Sequence, residues 1–247
     1  MLMITDNILL NTLLAMLTAV GVALITTPIV KAIAPHIGAV DIPKDDRRMH
    51  TKPMPLCGGI AIFLGFSVAM LLFSEMTAES WGIWLGCLAI VILGIVDDIF
   101  TLNAKLKFVL QFVAALIPVC FGLTMEHINV FGYNLHLGWF AYPLTLLWIV
   151  ALTNAVNLID GLDGLACSVT TVGSVALFAV GVIVSSPAIM ITSASLFGAC
   201  AGFLPYNFNP AKIFMGDTGA MFLGYTVAAL SVYSFYQQPS DVSFMIP

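Results

Sequence analysis

The chain has 247 residues, of which 60% are hydrophobic and only 9% charged, with a net charge of −5 and a mean hydropathy of +1.05. A soluble domain carries about 25% Asp, Glu, Lys and Arg, so a water-dissolved globule is excluded. The hydrocarbon of a bilayer is the solvent that suits this composition.

A helix that crosses a bilayer needs about 20 mostly apolar residues. Eight stretches qualify in chain order: 8–30, 56–74, 81–97, 107–123, 139–157, 165–184, 188–205 and 218–236. Lipid offers no partner to backbone polar groups, so long unbroken runs fold as helices, whereas barrels need short alternating segments. The expected fold class is all-α: a polytopic membrane helical bundle of about eight transmembrane helices, with 1–247 a single domain. The first run lacks a basic leader, its first Lys being Lys31, so span 1 is expected to stay in the mature chain. Spans 6 and 7 are rich in Ala, Gly and Ser, which let membrane helices approach closely. The five cysteines show no CxxC spacing and read as small packing residues.

The loops carry the information. Between spans 1 and 2 runs "DDRRMHTKPMPLCGG", with Arg47, Arg48, His50 and Lys52, then Pro53, Pro55 and a glycine pair. Span 3 ends in "GIVDDIF", with Asp97 and Asp98, followed by Lys105 and Lys107. Alone, this acidic pair could simply end a span, and Thr101 rules out a DDxxD motif. The segment 124–138 reads as a short hairpin about Gly132-Tyr133-Asn134. Span 5 runs into "NAVNLIDGLDGLA", where Asn157, Asp160 and Asp163 recur every three residues and would share one helix face. Span 8 is preceded by "NFNPAKIFMGDTG", with Asn207, Asn209, Lys212, Phe214 and Asp217.

All eight Lys and Arg residues fall at three places: after span 1, after span 3 and between spans 7 and 8. The intervening loops hold Asp6, Glu75, Glu79, Glu126 and Asp241 and no base. By the positive-inside rule the N-terminus and these base-free loops lie outside, while the basic loops and the loop after span 5, holding Asp160 and Asp163, lie on the cytoplasmic side. Five carboxylates therefore gather on one membrane face at three helix ends. Like charges so close would raise one another's pKa, and a divalent cation would relieve them. Oxygen-only ligands point to Mg2+, with Mn2+ as a substitute. Asp217, flanked by Gly216 and Gly219, marks a helix start that would either cap the helix or receive an anion. Asn207, Tyr206 and Phe214 offer a hydrogen-bonding edge and aromatic faces to a nucleobase, or serve as plain core.

Taken in order, these four motifs resemble those of the polyprenyl-phosphate N-acetylhexosamine-1-phosphate transferases, over about residues 28–230. The His-Thr-Lys-Pro-x-Pro form of the first loop is closer to the branch that starts teichoic-acid, O-antigen or common-antigen chains than to the muramoyl-pentapeptide branch. The resemblance implies a bacterial plasma-membrane transferase with its site on the cytoplasmic face. Such an enzyme moves a sugar-1-phosphate, here expected to be GlcNAc-1-phosphate, from a UDP-sugar onto undecaprenyl phosphate. UMP is released and Mg2+ is required. By matching position, Asp217 is implied as the principal metal ligand, with Asn157 near the metal. Asp97, Asp98 and Asp160 are implied as catalytic, Asp97 orienting or deprotonating the lipid phosphate. Asp163, Asn207 and Phe214 match positions at the nucleotide, and Lys52, Lys105 and Lys107 would face phosphates. Direct attack is favoured over a covalent aspartyl intermediate, because the lipid phosphate is already a nucleophile. Membrane lipid and, conceivably, a second copy of the chain are the expected partners, and nucleic acid is not.

Family members run on for two or three further spans and a His-rich loop. This chain stops at "SFMIP", so it is expected to be incomplete at its C-terminus. Two competing readings are an intramembrane-acid cation or proton transporter and an inactive scaffold. A transporter would carry its acids near the midplane on broken helices. The DGxxAR pattern of CDP-alcohol phosphatidyltransferases is absent.

Overall fold

Eight α-helices stand where the eight apolar runs predict them, in a computed structural model that describes residues 7–42, 53–130 and 133–237. They are α1 (Ile8–Ile33), α2 (Gly59–Phe73), α3 (Ala78–Phe100), α4 (Ala104–Cys120), α5 (Ala141–Ile159), α6 (Leu165–Ile183), α7 (Pro187–Asn207) and α8 (Gly216–Tyr236). Among the described residues, six helices are long and apolar enough to cross a membrane, and α2 is a shorter apolar helix.

Several helices depart from their predicted bounds by up to three residues, and α2 and α4 show why. At 15 residues, α2 is shorter than the run 56–74. Its expected first turn is instead a non-helical turn through Cys57, whose φ is +63°, tied to the segment before α8: Phe214 N–H donates to the Pro55 carbonyl at 2.9 Å, and Gly58 and Gly59 N–H donate back to Phe214 and Met215 at 3.0 Å. By contrast, α4 begins three residues earlier than expected. Asn103 caps it, its side-chain oxygen accepting from Lys105 N–H at 3.0 Å.

α7 and α8 are buried along most of their length, while α1, α5 and α6 each turn an apolar face outward, through residues such as Leu17, Leu147 and Val172. Outward apolar side chains on a bundle of this composition face lipid. Small residues bring the backbones together. Ala15, Ala19 and Ala23 of α1 meet Gly198 and Gly202 of α7, where any added methyl would run into the α1 backbone. The same device seats the start of α8. A methyl at Gly59 of α2 or at Gly94 of α3 would collide with the backbone of Thr218 and Gly219. Glycine at these two positions lets α2 and α3 clasp the first turn of α8 from both sides.

Two small antiparallel pairs complete the described structure. β1 (Val40–Asp41) pairs with β2 (Met54–Pro55), and β3 (His127–Val130) with β4 (Tyr133–His136). The hairpin is as expected, but its register pairs Val130 with Tyr133. Tyr133 and Asn134, expected in the turn, thus lie in the strand, and residues 131–132 lie outside the described residues.

Candidate functional site

The polar stretches meet at one end of the bundle, around the first turn of α8. That turn has no side-chain cap of its own, and its free amides are served by another helix. Asp98, near the end of α3, accepts from Asp217 N–H at 2.8 Å through Oδ1. Its Oδ2 accepts from Thr218 N–H at 3.2 Å and from the Thr218 hydroxyl at 2.6 Å. The Cys57 thiol donates to the same Oδ2 at 3.4 Å. A carboxylate at a helix N-terminus also suits the helix dipole. Gly216 is required here: its φ is +69°, and a Cβ would press into the Asp98 carboxylate.

Asp97 faces the other way. Thr101 ends α3 in the left-handed region, with φ of +51°, an uncommon conformation for a β-branched residue. Asp97 Oδ1 secures that turn by accepting from Leu102 N–H at 2.7 Å. The tight reversal places Lys107, one turn into α4, back over Asp97. The Lys107 ammonium then lies 2.7 Å from Asp97 Oδ2 and 2.7 Å from Asp217 Oδ1. From α5, Asn157 Nδ2 donates to that same Asp217 oxygen at 2.6 Å. Asp217 Oδ2 has no hydrogen-bond partner among the described residues. Donors from α4 and α5 thus converge on one carboxylate oxygen of α8.

Asp160 sits just past the end of α5. Burial, and after it the charges of Asp217 and Asp98, push its carboxyl up to about 7. That is the response of a carboxylate in a site with too few cations. Among the described residues the Lys107 ammonium is paired with Asp97 and Asp217. The donor set is all oxygen, which fits a hard divalent ion. Among the described residues no three His, Cys, Asp or Glu side chains stand ready as a metal cage; the lysine occupies the space between Asp97 and Asp217.

The residues matched to the nucleotide form a second group beside the first. Asp163 Oδ2 accepts from Asn209 Nδ2 at 3.1 Å and from Ala211 N–H at 3.0 Å, which fastens the turn after α5 to the loop after α7. Asn207 is 3% exposed; its Nδ2 donates to the Ile213 carbonyl at 3.1 Å, while its Oδ1 is buried without a partner. Phe214 is half-buried on the strip paired with Pro55. Lys105 is exposed. With Lys107, Phe108, Asn154 and Asn157 it lines a cavity of about 450 Å3 between α4 and α5. Lys52 lies outside the described residues.

Sequence reasoning foresaw that Asp97, Asp98, Lys107, Asn157, Asp160 and Asp217 would meet. It did not foresee that Asp98 spends both oxygens on the start of α8, nor that Thr218, Cys57 and Gln111 take part. A hydroxyl directly after Asp217 and an amide one turn below Lys107 were the only signals for Thr218 and Gln111.

Residues 80–235 match the family model for Glycosyl transferase family 4. The chain is 45% identical over 250 residues to a probable undecaprenyl-phosphate N-acetylglucosaminyl 1-phosphate transferase of Bacillus subtilis, an alignment covering 98% of this chain and 68% of that protein. It is 37% identical over 238 residues to the decaprenyl-phosphate N-acetylglucosaminephosphotransferase of Mycobacterium tuberculosis, covering 87% of this chain and 58% of that one. A phospho-N-acetylmuramoyl-pentapeptide-transferase of Caldicellulosiruptor bescii is 32% identical over 240 residues, with 90% and 74% covered. The chain thus spans between about half and three-quarters of the length of these relatives. The match of more than half its residues to the family model, together with the Bacillus alignment, places the chain in glycosyl transferase family 4.

Proposed function

We propose that this chain transfers N-acetylglucosamine-1-phosphate from its UDP-sugar to undecaprenyl phosphate, releasing UMP. The reaction takes place at the cytoplasmic face of a bacterial plasma membrane, with Mg2+, or Mn2+ in its place, as the resident cation. The observation that carries the proposal is the convergence of Lys107, Asn157 and Asp98 on Asp217 and its backbone, at a helix end where a lipid phosphate and a soluble nucleotide can both arrive. The names of the relatives support the acceptor and the transferred group.

In this reading the acceptor phosphate oxygen attacks the phosphorus that bears the sugar. The bond from that phosphorus to the bridging oxygen breaks, and UMP departs. Asp217, Asn157 and Asp160 would hold the cation, which would supply charge neutralisation for the diphosphate. Lys107 leaves its place between Asp97 and Asp217 to meet phosphate oxygens, with Lys105 beside it and Lys52 as a third cation. Asp97 aims Lys107 and takes any proton still on the acceptor phosphate. Asp163 keeps the nucleotide loop closed. The unpartnered Asn207 Oδ1 suits an N–H on a base edge, and Phe214 offers a ring face. Pre-placed charge of this kind is the main resource in phosphoryl transfer, where the protein has little covalent chemistry to do.

The test is exchange of labelled UMP into UDP-N-acetylglucosamine, together with formation of lipid-linked sugar phosphate, by membranes holding the protein. Asp217→Asn should abolish both while protein amount is unchanged. Wild-type turnover in that variant at ordinary Mg2+ would sink the assignment. A transporter is the weaker reading, because Asp97, Asp98 and Asp217 sit at the ends of α3 and α8 and not at mid-helix.

A further inference from the structure

One helical turn deeper than Lys107, Asn157 and Asp217, the same three helices meet again through polar or polarisable side chains. Gln111 follows Lys107 by four residues on α4. Asn154 precedes Asn157 by three on α5, and Met221 follows Asp217 by four on α8. These spacings put each member on the same helix face as its counterpart in the site above it. Asn154 Nδ2 donates to Gln111 Oε1 at 2.6 Å and to the Val150 carbonyl at 2.8 Å, and Gln111 Nε2 donates to Met221 Sδ at 3.2 Å. Gln111 is 1% exposed. The proposed reaction uses none of these three side chains.

We infer that Gln111 and Asn154 are positioning residues that fix the height and rotation of α4 against α5 and α8, and so hold Lys107 and Asn157 on the same oxygen of Asp217. The inference rests on the function proposed above for that site. A buried amide pair is a poor means of gaining stability in a membrane. Helix-to-helix hydrogen bonds there contribute little, and apolar side chains of similar volume pack as well. What an amide pair does supply is register. An apolar contact tolerates a slide or a rotation of α4, whereas the bond from Asn154 to Gln111 is lost when either helix moves by about an ångström. The requirement is strict at this point because the two donors above arrive from different helices. Lys107 comes from α4 and Asn157 from α5, and they share one acceptor at 2.7 and 2.6 Å. Gln111 is also the link to α8, through the soft sulfur of Met221, so one side chain ties all three helices below the site.

The experiment compares Gln111→Leu, Asn154→Leu, the double variant and the swapped pair Gln111→Asn with Asn154→Gln, each purified in detergent beside wild type. Either single leucine strands an amide and could lower the yield of folded protein. The double variant strands none and folds. Two readouts are taken. The first is kcat and KM for the UDP-sugar. Loss of register should lower kcat by roughly ten- to a hundredfold, since misplacement of a reacting group by about 1 Å can cost 10²-fold. KM should stay within about threefold, and the swapped pair should recover most of the loss. The second readout needs no substrate: the acylation rate of Lys107 relative to Lys105, measured by mass spectrometry. In wild type Lys107 is clamped by two carboxylates and reacts slowly; in the double variant the ratio should rise at least about fivefold. Wild-type kcat in the double variant would show that the pair only fills space, and would overturn the inference. So would an unchanged Lys107 ratio. If wild type itself transfers no sugar phosphate while the ratio still rises, the proposed reaction fails and the positioning role stands.

Discussion

Replacing Asp98 tests what this carboxylate does. The sequence groups it with the catalytic acids, yet in the structure it accepts four donors, three of them from the first turn of α8. Asp98→Asn keeps one carbonyl oxygen. If that oxygen keeps the Asp217 amide, the new NH2 group faces the Thr218 amide, donor against donor. One backbone bond is lost and a buried N–H is stranded, at a cost of roughly 1–3 kcal/mol. For a chain of this size about 1 kcal/mol moves Tm by roughly 2–4 °C, so the variant should melt about 2–12 °C lower. Asp98→Ala removes the whole cap and should melt lower still. Because the backbone of Asp217 moves with the cap, turnover should fall in step. Thr218→Val, which keeps the backbone amide bond to Asp98 and loses the hydroxyl contacts to Asp98 at 2.6 Å and to the Cys57 sulfur at 3.7 Å, should fall between wild type and Asp98→Asn in both respects. The assay is thermal unfolding in detergent, followed by tryptophan fluorescence, alongside lipid-linked product formation. If Asp98→Asn melts like wild type but has no activity, Asp98 acts on substrate directly, and the capping argument is wrong.

Further predictions concern charge, pH and sidedness. Lys107→Met should lower kcat about 10²–10³-fold, the usual cost of one group aimed at developing charge; Lys107→Arg should not restore it, since a planar guanidinium does not fit between two carboxylates set for a compact ammonium. Asp160, pushed up to about 7, holds its proton in the folded state well above its unfolded value of about 3.9. Without divalent cation, stability should therefore fall as pH rises from about 4 to about 7 and level off above; Asp160→Asn should reduce that slope, the remainder coming from the Asp98 carboxyl, and a slope unchanged in Asp160→Asn would refute the assignment. In a Cys120→Ser background, an impermeant thiol reagent added outside intact cells should label Glu79→Cys and spare Lys212→Cys, and the reverse pattern would invert the proposed topology.

What was legible in the sequence is what depends on composition and on single helix ends. Eight long apolar runs left eight helices as the economical solution, and the bounds shifted by up to three residues, in α4 at the Asn103 cap and in α2 where a strip from elsewhere in the chain reached in. The run beginning at Leu56 looks helical by hydropathy, yet residues 55–58 form a non-helical turn that pairs with Phe214, a partner more than 150 positions away. The meeting of the acidic motifs was legible because alternating spans put every second loop on the same side. Division of labour within the pair Asp97-Asp98 was not. Neighbours on a helix point about 100° apart, so one carboxylate turns to α8 and the other to α4. Only the packed bundle shows which does which.

The placement of Asp98 also explains how a helix start that attracts anions can carry the aspartate proposed to hold the cation. An uncapped N-terminus of α8 would direct its first amides at any nearby negative group, including the side chain of Asp217 itself. Asp98 fills those amides first, at 2.8 and 3.2 Å. Asp217 is thereby prevented from folding back to cap its own helix, and its carboxylate is left projecting between Lys107 and Asn157. The acidic pair at the end of α3 thus serves one end through two routes: Asp98 turns Asp217 outward, and Asp97 brings Lys107 over to meet it. Exchanging the two roles would require α3 to rotate by about 100° against α8. Gly94, set against the backbone of Thr218 with no room for a methyl, leaves no space for that rotation, and Gly94→Ala should therefore impair turnover as severely as loss of either carboxylate.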